Sequence, residues 1–277
     1  MQDEQLETMS FGSHLEVLRQ MLLRVAGVVL CLSAVVFCLK DETFGIILAP
    51  KASDFVTFRL IEHVSDWLSA MTGWDCSFRF EPYQLKLIST ELSAQFMMHL
   101  TTSVGMGALL ASPYILYELF RFISPALYAN ERRYSMLVCV SCYIQFVIGV
   151  LMTYYILAPI SFRFLGTYQV SADIVNTITL DSYISTFINL TFTMGLVFQL
   201  PAACWLLARL GLLKASLMRK YRRHALVAIM IVAAIITPPD VFTLLLVTIP
   251  LYALYEICIH IVAHQNARQE KRETVVS

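Results

Sequence analysis

Apolar residues are concentrated in long blocks that are separated by shorter polar segments. A helix needs about 20 mostly apolar residues to cross a bilayer. Blocks near that length or longer lie at 21–39, 96–120, 136–160, 183–207 and 241–263. A further block, 225–237, is short, and its pattern fits either a short span or a re-entrant segment. The pattern therefore predicts an all-α membrane protein with up to six transmembrane helices.

The distribution of Lys and Arg favours the crossing interpretation of the short block. The loop 208–223 and the tail after 264 are rich in bases, whereas the turn "TPPD" at 237–240 carries one acid and no base. Basic loops remain on the cytoplasmic side, so the chain has to cross and return between them. Counting back predicts six spans with the N- and C-termini cytoplasmic.

Composition agrees with a membrane protein. Charged residues make up 14% of the chain, against about 25% in soluble domains. The formal net charge of zero gives no reason to expect nucleic-acid binding. Most of the seven cysteines lie in apolar blocks, and we interpret Cys139 and Cys142 as packing residues rather than a redox pair. His260 and His264 have helical spacing for a metal but no third ligand, so we expect neither metal nor cofactor.

The long segment 40–92 is predicted to be an external loop that contains an amphipathic helix. Apolar residues recur there at helical spacing, at Val56, Leu60, Val64, Trp67, Leu68 and Met71. We expect this helix to lie on the membrane or to cap the spans, and the alternative is a recognition helix for cargo. Residues 1–277 are treated as one polytopic domain, with a cytoplasmic interfacial helix at 1–20 and a cytoplasmic tail at 264–277.

Prolines and polar residues inside the blocks predict bends and local pairing. Pro113, Pro201 and Pro250 each lie within a predicted span, and proline bends a helix, so several bent spans suggest a concave body. Glu118 and Glu256 are each expected to be a structural partner of a nearby base or backbone group. Ser13 and Glu16 have the spacing of a capping box at the start of the first helix.

Three motifs together resemble the TatC family, the core membrane subunits of twin-arginine protein translocases. They are "SHLEVLR" at 13–19, "SPYILYELFRFISPALYANERR" at 112–133 and "TPPDVF" at 237–242. Their order and spacing extend the resemblance over nearly the whole chain. It implies a glove-like bundle of six spans that binds paired-arginine signal peptides on folded cargo and performs no catalysis. Transport would be driven by the proton gradient across a bacterial inner membrane, with TatA-type and TatB-type single-span partners and self-association.

The resemblance also implies two groups of site residues. The signal-peptide group is centred on the carboxylate of Glu131, which would pair with the signal's arginines; its other members are Phe122, Pro125, Leu127, Tyr128, Arg132, Arg133, His14, Leu15, Glu16 and Arg19. A second group would bind partner helices and consists of Gln199, Thr237, Pro238, Pro239 and Asp240.

Two positions depart from the family pattern. The family's N-terminal acid falls at Val17, and this chain has Glu16 one position earlier, about 100° around a helix. Glu16 either replaces that acid or only completes the cap. Gln199 stands where many members have Glu, which argues against proton transfer there.

Two other functions fit the sequence less well. A small-solute permease is disfavoured by the absence of internal repeats and by the few charges near midplane. An intramembrane enzyme would have to use the Cys139–Cys142 pair or the His260–His264 pair, and neither resembles an active site.

Overall fold

The computed structural model describes residues 11–72, 79–83, 85–123, 135–169, 171, 176–238 and 240–276. The chain forms two compact units. One combines Met1–Lys40 with His99–Tyr143, and the other combines Asp41–Met98 with Ile144–Ser277.

The described residues are almost entirely helical. The α-helices are α1 (Phe11–Cys38), α2 (Lys40–Leu48), α3 (Val56–Thr72), α4 (Ala94–Ile123), α5 (Ser135–Met152), α6 (Ala158–Thr167), α7 (Leu180–Val197), α8 (Leu200–Arg209), α9 (Ala215–Lys220), α10 (Arg222–Ile236) and α11 (Val241–Val276). Two short strands, β1 (Leu87–Ile88) and β2 (Ile178–Thr179), form a parallel pair in which Leu87 is opposite Ile178. This pair was not predicted, because two residues are too few to show a strand pattern.

Five segments of the described chain are long and apolar enough to cross a membrane. They are Leu15–Cys38, Ala94–Phe122, Val138–Thr167, Leu180–Arg209 and Val241–Gln269, and each contains most or all of a block predicted from sequence. The short sixth block corresponds to α10, whose 15 residues give a length of about 22 Å. The six-span count and the placement of both termini therefore stay predictions.

In the first unit, α1 and α4 pack antiparallel along much of their length. The ring of His99 stacks on Phe37 with centroids 4.1 Å apart. Further along, Gly107 lies so close to α1 that a Cβ there would come within 2.7 Å of the Cα of Ser33. Glycine is therefore required at position 107 for this close approach.

The second unit is built around the helices that follow residue 144. One of its cores includes Leu157, Leu190, Met194 and Leu251, which come from the third, fourth and last long apolar segments. Gly149 brings α5 against α7, since a Cβ at this position would lie 2.7 Å from the Met194 carbonyl oxygen. A second apolar cluster joins α8, α9 and α11 through Ala208, Met218 and Ile259.

Two of the long apolar segments are interrupted, and proline explains both interruptions. Thr153–Leu157 forms a π-helical turn between α5 and α6, shortly before Pro159. The fourth segment breaks after α7, and Pro201 occupies the first turn of α8, where a missing N–H costs nothing. Pro201 thus begins a new helix rather than bending a continuous one. Pro113 and Pro250 lie inside α4 and α11, as predicted.

Hydroxyl groups within the spans are largely satisfied by their own helices. Thr191 donates to the Phe187 carbonyl at 2.7 Å, and Thr248 donates to the Leu244 carbonyl at 2.7 Å. This bond to the residue four positions earlier keeps a polar side chain compatible with an apolar environment. Such residues in span four therefore do not by themselves indicate a transport pathway.

The predicted capping box at the N-terminus is wrong. Ser13 lies inside α1, which already includes Phe11, so it is not the residue that begins the helix. Glu16 instead accepts hydrogen bonds from Arg19 at 2.8 Å and from Gln20 at 3.1 Å, further along α1.

Candidate functional site

A buried carboxylate joins α1 to α4 near the end of α4. The side chain of Glu118 is only 4% exposed, and its oxygens lie 3.4 Å from Arg24 of α1 and 3.7 Å from Arg121 of α4. The Tyr114 hydroxyl donates to the same carboxylate at 3.2 Å. A charge this deeply buried is tolerated only when it is paired, and here two cations and one hydroxyl surround it. The expectation that Glu118 has a structural role is confirmed.

This ion cluster fixes where two of the sequence motifs lie. Arg24 is five residues beyond Arg19, a rise of about 7.5 Å along the helix. Phe122 is four residues beyond Glu118 and half-buried in the last turn of α4. The N-terminal motif and the last described residues of the loop motif, 119–123, therefore lie toward the same end of the α1–α4 pair. Arg24 and Tyr114 were not predicted to be partners of Glu118, although a base and an acid near the same end of two consecutive spans can indicate such a pair.

The N-terminal group is partly exposed. Leu15 and Val17 are exposed on α1, and Glu16 and Arg19 form an exposed ion pair within the same helix. An exposed pair of this kind contributes little to stability, so Glu16 can exchange Arg19 for another cation at small cost. His14 lies in α1, but its side chain is outside the described residues.

The second part of the loop motif, residues 124–133, falls outside the described residues. This applies to Glu131 and to five neighbours, which are Pro125, Leu127, Tyr128, Arg132 and Arg133. Their roles in binding a signal peptide remain predictions, as do those of Phe122, His14, Leu15, Glu16 and Arg19.

The second group of site residues lies in the second unit, at two different places. Gln199 precedes α8 at the break after α7, and its side chain does not cap that helix. Thr237 follows α10, is 6% exposed, and donates to the Ala233 carbonyl at 2.9 Å. Pro238 and Asp240 come next, and Pro239 is outside the described residues.

Asp240 uses one of its two carboxylate oxygens to begin α11. Its Oδ1 accepts the backbone N–H of Thr243 at 2.6 Å, which is the geometry of an N-cap. Its Oδ2 and the Thr243 hydroxyl are both buried, and neither has a hydrogen-bond partner among the described residues. An unsatisfied buried oxygen is costly, so this turn retains capacity to accept a donor.

Glu256 also has the structural partner that was expected. Its carboxylate lies 2.7 Å from Arg222 at the beginning of α10, and the neighbouring Tyr255 hydroxyl donates to the Met218 carbonyl at 2.9 Å. The two contacts tie the basic segment before α10 to α11. These contacts give Glu256 a structural role in the last span that does not require proton transfer.

Comparisons with known proteins identify the family. A family model described as Sec-independent protein translocase protein (TatC) matches residues 13–250. The TatC of Blattabacterium sp. subsp. Periplaneta americana (strain BPLAN) is 32% identical over 254 residues, covering 91% of this chain and 94% of that relative. The TatC of Escherichia coli (strain K12) is 35% identical over 181 residues, covering 64% of this chain and 68% of that relative.

A solved structure agrees with these relatives. A crystal structure of the twin-arginine translocase receptor TatC matches with a TM-score of 0.70 and 27% identity, covering 91% of this chain and 99% of the other. Helical architecture and the five long apolar segments of the described chain indicate a multi-pass membrane protein. The chain belongs to the TatC family of Sec-independent protein translocase proteins.

Proposed function

We propose that this chain is the receptor subunit of a twin-arginine translocase in a bacterial cytoplasmic (inner) membrane. In this proposal it binds the paired arginines of a signal peptide on folded cargo and starts export driven by the proton gradient. One observation supports the location of the proposed signal-peptide site. The Arg24–Glu118–Arg121 cluster holds α1 against α4 toward the end where the N-terminal motif and the described residues 119–123 of the loop motif lie.

Glu131 is the proposed arginine-binding group, and its chemistry suits that role. A carboxylate binds a guanidinium through two parallel hydrogen bonds, which an ammonium cannot copy. Glu118 is unsuited to this role because Arg24 and Arg121 already neutralise it. Glu131 is next to Arg132 and Arg133 in the sequence, and these bases would repel basic segments that lack the matching geometry.

Site-specific crosslinking of a signal peptide to the full-length chain in membranes tests this proposal. Glu131→Ala should abolish crosslinking, Glu131→Asp should retain part of it, and a signal with both arginines changed to lysine should fail with every variant. Undiminished crosslinking to Glu131→Ala would exclude Glu131 as the arginine ligand.

Glu16 is proposed as the second acid of the receptor, in place of the family acid that would fall at Val17. Glu16→Ala should weaken signal crosslinking, and Val17→Glu in that variant should restore it. Unaltered crosslinking with Glu16→Ala would leave Glu131 as the only acid of the site.

Single-span partners of the TatA and TatB types are proposed to dock on the second unit. The proposed contacts are Gln199 and the turn at 237–240, where the buried Asp240 Oδ2 has no hydrogen-bond partner among the described residues. Photocrosslinkers at Gln199 and at Phe242, compared with one at Cys31 of α1, should label co-expressed single-span partners only from the first two positions. Equal labelling from all three positions would contradict a specific docking site.

A further inference from the structure

Helix α3 has two opposite faces, and in the described part of the chain one of them packs on the protein while the other is exposed. Phe58 is 2% exposed, with its ring 5.1 Å from Phe80 and 5.0 Å from the Arg163 guanidinium. One turn later, Glu62 accepts the backbone N–H of Phe80 at 3.0 Å. Position 58 and position 62 lie on the same side of a helix, so this side holds α3 on the second unit.

The opposite face is an exposed apolar stripe. It consists of Val56, Leu60, Val64, Trp67 and Met71, each between 50% and 69% exposed. At about 100° per residue, the centre of this stripe lies about 180° from the centre of the Phe58–Glu62 face. A continuous apolar strip along a helix of 17 residues is about 25 Å long and indicates a binding surface.

A hydrogen bond joins the start of α3 to the third span. Pro159 has no N–H, so the Tyr155 carbonyl four residues earlier lacks its usual helical donor. The Thr57 hydroxyl donates to that carbonyl. Tyr155 is 17 residues beyond Val138, where the third apolar segment begins, which is a distance of about 26 Å along a helix. The apolar core of a bilayer is about 30 Å thick, so a span that enters the bilayer at Val138 places the start of α3 near the opposite membrane surface.

We propose that α3 is an interfacial helix whose Val56–Met71 stripe is inserted into the lipid leaflet at the α6 end of the third span. Trp67, near the middle of the stripe, is the residue type that prefers the headgroup boundary. Helix α3 has no excess of bases, since it carries Arg59 together with Glu62 and Asp66, and Arg59 forms an exposed pair at 2.9 Å with Asp54 just before the helix. Insertion is therefore driven by apolar burial and depends little on anionic lipid or salt. This proposal does not depend on signal-peptide binding.

Tryptophan fluorescence of the full-length chain in phospholipid nanodiscs tests the insertion. Trp74→Phe with Trp205→Phe leaves Trp67 as the sole tryptophan of the chain. The matched control replaces all three tryptophans with Phe and carries Asp66→Trp, on an exposed polar position about 120° from the stripe. We expect lipids with a nitroxide at carbon 5 to quench Trp67 at least twofold. Aqueous iodide should quench Trp67 several-fold less than it quenches the control, at low and high salt.

Two outcomes would overturn the proposal. Iodide quenching of Trp67 equal to that of the control would place the stripe in water. Protection of Trp67 from both iodide and nitroxide lipids would mean that protein, such as a second copy or cargo, covers it. If the tryptophan variants do not fold, a photoactivatable diazirine phospholipid can be used with the unaltered chain. It should label the peptide that contains Trp67 and Met71, and absence of label there would also contradict insertion.

Discussion

The Glu118 cluster predicts an unusual order of stability among its variants. Glu118→Ala removes a carboxylate that is 4% exposed, but the Arg24 and Arg121 side chains left behind are 44% and 60% exposed. Because water can solvate both cations, we expect the free energy of unfolding to fall by about 2 kcal/mol. Most of this decrease comes from the lost charged hydrogen bond with Tyr114. Removing both cations instead leaves a buried carboxylate without a charge partner, and the loss should rise to about 3–5 kcal/mol.

Single replacement of either arginine should cost only about 1 kcal/mol, because the other cation remains near the carboxylate. The Arg24→Ala, Arg121→Ala pair should therefore cost at least about 1 kcal/mol more than the sum of its singles. Reversible unfolding in mixed micelles measures these differences, with Glu118→Gln as the isosteric control. Additive arginine effects, or a double variant that is more stable than Glu118→Ala, would refute the reasoning.

Three further variants probe other contacts by unfolding in the same micelles. Gly149→Ala should lower the free energy of unfolding by about 1–3 kcal/mol, because its Cβ is forced against the Met194 backbone. Gly27→Ala, with nothing within 4 Å of its Cβ, should be neutral or stabilising by up to about 1 kcal/mol. Equal effects of the two variants would contradict the packing of α5 on α7. Thr57→Val should lower the free energy of unfolding by about 1 kcal/mol, whereas Thr57→Ser should leave it almost unchanged. Equal decreases for the two variants would exclude the hydrogen bond from the Thr57 hydroxyl to the π turn. Burial raises the pKa of the Tyr83 hydroxyl to about 12, so the folded chain holds that proton more tightly and its stability should fall as pH rises from about 10 to 12. Tyr83→Phe should lack this part of the alkaline loss, and an unchanged loss would assign it elsewhere.

The long spans could be predicted from sequence because each depends on a block of about 20 apolar residues. The interruptions could not be placed in the same way. Thr153–Leu157, shortly before Pro159, forms a π turn, and a hydropathy pattern averages over such a local change. Pro201 was predicted to bend the fourth span. Whether a proline bends a helix or begins a new one depends on the packing of its neighbours, which the hydropathy pattern does not show.

For the candidate site, sequence supplied the residues but not their arrangement. The three motifs identified the family that the comparisons confirm. The association of α1 with α4 through Arg24 and Glu118 depends on a contact between residues 94 positions apart in the sequence, and no local pattern reports it. The apolar spacing in α3 was predicted correctly, but the sequence alone does not tell which face packs on protein.

The π turn also determines how this chain tolerates changes in length. A π turn holds one residue more than an α-helix of the same rise, and one residue corresponds to about 100° of rotation. Removing a single residue from Thr153–Leu157 would convert the π turn into an α-helical turn of the same rise, so the third span would keep nearly the same length and α6 nearly the same rotation. Arg163, whose guanidinium lies 4.4–5.0 Å from the rings of Phe58, Phe80 and Tyr83, would then stay beside them. A deletion in α6 before Arg163 would instead turn Arg163 by about 100°, away from these rings. Deletion scanning should find the π turn tolerant, with protease cleavage near residue 80 as the readout, whereas a deletion in α6 before Arg163 should expose that segment to cleavage.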